Sequence, residues 1–126
     1  MTLVLDSGAL IALEKNDRAM WRRLKAELVA GRVPLSHGGV VGQVWRGGGA
    51  RQALLAKALD GLEVRALDES LGRAAGDLLA RTGASDVIDA ALVLLADDGD
   101  DIATSDTQDL EPLAALLGRH VELLHV

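Results

Sequence analysis

Five aspartates stand where elements of the chain begin or end: Asp6, Asp86, Asp89, Asp106 and Asp109. Asp6 closes the apolar run Thr2-Leu3-Val4-Leu5 and is followed by Ser7-Gly8 and a second apolar stretch. That pattern reads as a buried strand, a turn and a helix. In open α/β sheets ligands gather outside the carboxyl ends of the strands, so a carboxylate there is placed for chemistry. Ile102-Ala103-Thr104-Ser105-Asp106 ends in the same way. Asp86 and Asp89 open an apolar helix at a spacing of three, which puts both on one face, and Asp106 and Asp109 repeat the spacing. None of the five has a basic neighbour in sequence. A cluster of this kind needs a cation, and carboxylates suit hard divalent ions such as Mg2+ or Mn2+.

Each acid also has a purely structural use. Ser85-Asp86 fits an N-cap and first-turn acid, favoured by the helix dipole. Asp106 with Asp109 resembles a capping box with Asp in place of Glu. Asp6 is harder to explain this way, because capping does not require a carboxylate after four apolar strand residues.

The elements that must position these acids alternate. Residues 2–6 form a first strand, 8–14 a short helix, and Asn16-Asp17 a turn and cap for a helix to residue 30. Residues 33–35 make a second strand that Pro34 suits at its start or edge. A helix over 38–46 ends at Gly47-Gly48-Gly49, and a second covers 50–59. Residues 62–67 alternate with the period of a strand, and Asp68 caps a helix running to 81. The helix over 86–96, an acidic turn over 97–101, a strand over 102–104, a helix from Asp106 to 118 and a strand over 121–126 complete the chain. Strands and helices in alternation predict a three-layer α/β/α fold with a mostly parallel sheet of about five strands. No repeat or linker interrupts residues 1–126, which read as a single domain.

With 126 residues, 49% of them apolar, the chain can bury a core and is not expected to be disordered. Phe and Tyr are absent, so that core must be aliphatic. The absence of cysteine excludes a disulfide framework, a zinc–thiolate site and a Cys nucleophile. No signal peptide and no stretch of about 20 apolar residues is visible, which points to a cytoplasmic protein without a membrane span. A formal net charge of −6 argues against a general nucleic-acid coat protein. An acidic enzyme can still handle nucleic acid where metal ions neutralise the site.

The order and context of the acids resemble a PIN-domain ribonuclease, of the type found as the VapC toxin of bacterial toxin–antitoxin pairs. Leu5-Asp6-Ser7-Gly8-Ala9-Leu10-Ile11-Ala12-Leu13 looks like the family's first acidic motif. Asp89-Ala90-Ala91-Leu92-Val93 looks like the helix-borne motif, and Thr104-Ser105-Asp106 with Asp109-Leu110 like the late one. The resemblance spans the whole chain. It implies Mg2+- or Mn2+-assisted hydrolysis of RNA phosphodiester bonds, leaving 5′-phosphate and 3′-hydroxyl ends. It makes Asp6, Asp89 and Asp106 the catalytic ligands, with Asp86 and Asp109 binding through water or supporting the ligands. Thr104 or Ser105 would hydrogen-bond a carboxylate or the scissile phosphate. The implied partners are an RNA substrate, a cognate antitoxin that wraps the toxin with a helix, and a second copy of the chain.

One position departs from the pattern. The family usually carries a Glu on the helix after the second strand, and Val40-Val41-Gly42-Gln43-Val44-Trp45-Arg46 places Gln43 there. An amide offers a carbonyl but no charge. Glu14 is the nearest candidate to compensate. The alternative function is therefore a catalytically weak or inactive PIN-like module that binds a partner or RNA.

Arg18, Arg22, Arg23 and Lys25 form a basic stretch on the second helix and are the RNA-facing candidates, with Arg46 beside the glycines. His37, His120 and His125 show no ligand spacing and read as surface or strand-edge residues. Asp97, Asp98, Asp100 and Asp101 read as a solvated turn, since no EF-hand series follows. Trp21 and Trp45 read as core or contact residues. Two rivals fail on single positions. A receiver domain needs a late Lys, and none follows Lys57. A phosphatase with an Asp nucleophile needs a second Asp two residues after the first, where Gly8 stands.

Overall fold

The structure, a computed structural model, describes residues 1–126. The strands are β1 (Leu3–Leu5), β2 (Leu35–His37), β3 (Glu63–Arg65), β4 (Asp101–Thr104) and β5 (Glu122–His125). The helices are α1 (Ser7–Glu14), α2 (Arg18–Val29), α3 (Gly38–Val44), α4 (Ala53–Asp60), α5 (Glu69–Thr82), α6 (Val87–Leu95) and α7 (Thr107–Leu116). One sheet runs in the order β3-β2-β1-β4-β5, and every pairing is parallel. The expected three-layer α/β/α arrangement is therefore present.

β1 lies at the centre, and its three residues are all buried. A strand covered on both faces reads as a continuous apolar run, which explains Leu3-Val4-Leu5. The core cluster holds 26 buried apolar residues and no aromatic, with Trp21 packed against its edge. Asp6, Asp17, Asp68 and Asp86 cap α1, α2, α5 and α6 with their side chains, so four helix starts are fixed by the same chemistry.

The departures from the sequence reading have local causes. β2 begins at Leu35, not residue 33, because Pro34 has no N–H to give the ladder. It extends to His37 because Ser36 and His37 find buried partners: Ser36 Oγ donates to the Leu5 carbonyl at 2.9 Å. The predicted helix over 50–59 opens with a 3-10 turn, Ala50–Gln52. β3 pairs over three residues and is exposed along its length, as an edge strand.

The chain moves outward from β1 in one direction through β2 and β3, and in the other through β4 and β5. The sheet therefore reverses its order between β1 and β4. Asp6 follows the carboxyl end of β1, and Ser105 and Asp106 follow that of β4.

Candidate active site

Asp6 is buried at the head of α1. One carboxylate oxygen accepts from the Ala9 N–H at 3.1 Å. The other accepts from the Thr104 hydroxyl. Thr104 Oγ1 in turn accepts from the Asp106 N–H at 2.8 Å. A single buried hydroxyl thus ties the ends of β1 and β4 together and orients two of the acids.

Gly8 makes this approach possible. A Cβ at Gly8 would lie 2.2 Å from Ser105 Oγ, 2.6 Å from its Cβ and 2.9 Å from its backbone nitrogen. Glycine is unfavourable inside a helix, and its place in the first turn of α1 is explained by this contact. A glycine in that position is the sequence signal for such a close approach.

Asp86 caps α6, accepting from Ile88 N at 2.9 Å and Asp89 N at 3.1 Å. Asp89 projects from the first turn of α6 and is half-buried. Burial first, then the charges of Asp86, Asp106, Asp109 and Asp6, push its carboxyl up to about 6. Asp6 is also raised, chiefly by burial, against hydrogen bonds from Thr104, Ala9 and Gly8 that lower it. Hydrogen bonding to Asp106, then that residue's charge, raises Asp109. Asp106 makes no side-chain cap to α7, so the capping-box reading does not hold and its carboxylate is free of that duty. Asp89 therefore feels all four of the other acids, and the molecule's three ion pairs involve none of the five.

Asp86, Asp89 and Asp109 line a cleft of ≈ 450 Å³ together with Ser85, Gln108 and Pro112. Pro112 lies inside α7 and has no N–H, which deprives the Gln108 carbonyl of its i+4 helical partner. The donor set is oxygen throughout and lacks a compensating cation, which fits a hard divalent ion. No three carboxylates close around a single point. Mg2+ commonly takes only one or two protein carboxylates and keeps several waters.

His37 corrects the sequence reading. It is fully buried, not at the surface or a strand edge, whereas His120 and His125 are exposed. Its Nδ1 accepts from Gly39 N at 3.1 Å, so Nε2 carries the proton and donates to the Ile88 carbonyl at 3.0 Å. The ring thus pins the first turn of α6, and with it Asp86 and Asp89, to the end of β2. Burial pushes this imidazole below its ordinary value, against the Ile88 bond.

Asp100 corrects the solvated-turn reading. It is buried, and its carboxylate accepts from Thr2 N at 2.7 Å and Asp97 N at 2.8 Å. Asp101 opens β4.

Other candidates are placed elsewhere. Gln43 is exposed on α3. Glu14 is the last residue of α1, at the opposite end from Asp6, and accepts from Gln52 Nε2 at 2.6 Å. Gln52, which no motif in the sequence marks, is buried. Its Oε1 accepts from Arg46 N at 2.8 Å and Gly48 N at 3.0 Å, which fixes a loop whose three glycines all have positive φ. The side chain of Arg46 folds onto the carbonyls of Gly42 and Trp45. Trp45 is more than a third exposed and lies against Gly48. Arg18 and Arg22 line a cleft with Lys25. Arg23 lies elsewhere, near Asp101, whose carboxyl is raised by burial and by Glu122 and lowered in part by Arg23. No helix is long and apolar enough to cross a membrane.

No family model matches the sequence, and no curated protein matches it. Among solved structures, the chain is similar to one in the crystal structure of VapBC2 from Rickettsia felis bound to a DNA fragment from their promoter. The TM-score is 0.71 over 98% of both chains, at 13% identity. At that identity the likeness is one of fold: this chain has the PIN-like α/β fold that its acidic motifs resemble.

Proposed function

We propose that this chain is a Mg2+- or Mn2+-dependent endoribonuclease and the toxin of a type II toxin–antitoxin pair. The observation that carries the reading is the gathering of Asp6, Asp86, Asp89, Asp106 and Asp109 at the point where the sheet reverses its order, with no basic partner. Like charges kept together at a cost to the fold mark a functional site. A protein of the same fold occurs in VapBC2, which supports an antitoxin as partner. A homodimer in the cytoplasm completes the reading.

The resemblance makes Asp6, Asp89 and Asp106 the metal-holding acids; one or two of them would bind the ion directly, and the others, with Asp86 and Asp109, through water. The bound ion supplies an activated water and stabilises charge on the phosphate. The chain's own contribution is orientation. Thr104 fixes the Asp6 carboxylate and the Asp106 backbone, while His37 fixes the helix that bears Asp89. The second reading, a weak or inactive binding module, is favoured by Gln43 alone.

The test is cleavage of RNA by protein freed of antitoxin, with Mg2+ or Mn2+, against EDTA and Asp6→Ala controls. Discrete cuts bearing 5′-phosphates and lost in both controls are expected. Folded protein that cuts nothing with either metal would sink the hydrolase reading. Recovery of cleavage in Gln43→Glu would then identify the missing charge as the cause.

A further inference from the structure

A second cleft, of ≈ 280 Å³, opens between α2 and α4. Its walls carry Arg18, Arg22, Lys25 and Lys57, with Trp21 and Leu54 between them, and no acid. Four cations facing one small space are unexpected in a chain of net charge −6. The molecule's three ion pairs use Arg32, Arg65 and Arg73, so none of these four is neutralised by one.

The local sequence works against the helix that presents them. Arg18 and Arg22 are four apart, and Arg22 and Lys25 three apart, so like charges adjoin on one face of α2. Arg18 is also the first residue of α2, at the end where the helix dipole disfavours a cation, with Asp17 as the cap beside it and no acid within the first turn itself. The adjoining like charges on one face of α2 are a local conflict of the kind found where a ligand shapes a site. The aromatic wall is held in place: Trp21 Nε1 donates to the Leu13 carbonyl at 3.1 Å, and Lys57 Nζ lies 5.9 Å from the ring centroid.

We propose that this cleft anchors the phosphate backbone of a single-stranded RNA, with the cations on phosphates and the Trp21–Leu54 wall against a sugar or base. A free phosphate or an acidic peptide would need the charges but not the apolar wall. Positive groove and aromatic side chain together are the usual means of holding single strands. The inference rests on the ribonuclease reading for the identity of its ligand. Leu13 and Asp6 lie at opposite ends of α1, about 10 Å apart along its axis. The anchor is therefore a separate subsite from the acids.

The test is fluorescence anisotropy of a labelled single-stranded RNA bound by the intact protein in EDTA, at a series of salt concentrations. The variants are Arg18→Gln/Arg22→Gln in the cleft and Arg65→Gln on β3 as a control. We expect roughly tenfold weaker binding for the double variant, and a log–log salt slope shallower by about 1.4, two phosphate contacts at about 0.7 each. The control should match the wild type. With metal restored, the double variant should raise KM and leave kcat near its normal value. Unchanged affinity and slope would overturn the proposal. So would loss of polyglutamate binding with RNA binding intact, which would assign the cleft to an acidic protein segment. RNA that binds through the arginines and is never cut overturns the hydrolase reading alone. Cutting that ignores the arginines overturns the anchor alone.

Discussion

Replacing Asp89 by Asn should stabilise the metal-free fold and abolish function together. Burial and four neighbouring aspartates raise the Asp89 carboxyl to about 6, against an ordinary unfolded value of about 3.9. The folded protein therefore binds the extra proton between about pH 4 and 6, and metal-free stability falls as pH rises through that window. Two units correspond to about 3 kcal/mol. Asp89 is only half-buried, and solvent screening leaves about half of that. The carboxylate also gains about 0.5 kcal/mol from the N-terminus of α6. The net gain for Asp89→Asn is about 1 kcal/mol above pH 6, or about 3–4 °C in Tm. Below pH 4 the gain should vanish. Urea denaturation in EDTA at pH 7.5 and pH 4 measures both values. An Asp89→Asn protein less stable than wild type at pH 7.5, or equally shifted at both pH values, would refute the electrostatic account. Saturating Mg2+ should reverse the order, since wild type gains binding energy that the variant cannot.

Gly8→Ala should push its new methyl into Ser105 and part the ends of β1 and β4, costing about 1–3 kcal/mol; activity should fall further than the stability loss explains, as thermal melts beside cleavage assays will show. Thr104→Val removes the hydroxyl donor to Asp6, and should cost about 1–2 kcal/mol at pH 7.5 and less at pH 4, where Asp6 is nearer its neutral form; denaturation at the two pH values reads this out. His37→Ala leaves a cavity and frees the first turn of α6, with an expected loss of about 2–4 kcal/mol and faster amide exchange near residues 86–89.

The sequence carried the acids well because each sits at a boundary between two hydrophobic periods. Asp6 ends the run of a central strand, and Asp89 and Asp106 stand at helix starts, so local pattern alone locates them. The polar residues that hold the site were illegible for the opposite reason. His37 finds its partner at Ile88, 51 positions away, and Gln52 reaches Glu14 across 38. Nothing in their immediate sequence distinguishes a satisfied buried amide or imidazole from an exposed one. The same holds for β2: Ser36 and His37 look like the end of a strand until their distant partners are known. Asp100, among four neighbouring aspartates, looks solvated until the Thr2 N–H is brought to it by the pairing of β1 and β4. Gly8 is the exception. Its position within a helical turn was visible, and only the close contact that demands it was not.

The most direct test of the acidic centre is Mn2+ binding to antitoxin-free protein at pH 7.5, followed by electron paramagnetic resonance for wild type and Asp6→Ala/Asp89→Asn. The account predicts saturable binding that raises wild-type Tm and is lost in the double variant, with both proteins folded. Binding of equal strength in the two proteins, or none in wild type, would contradict it.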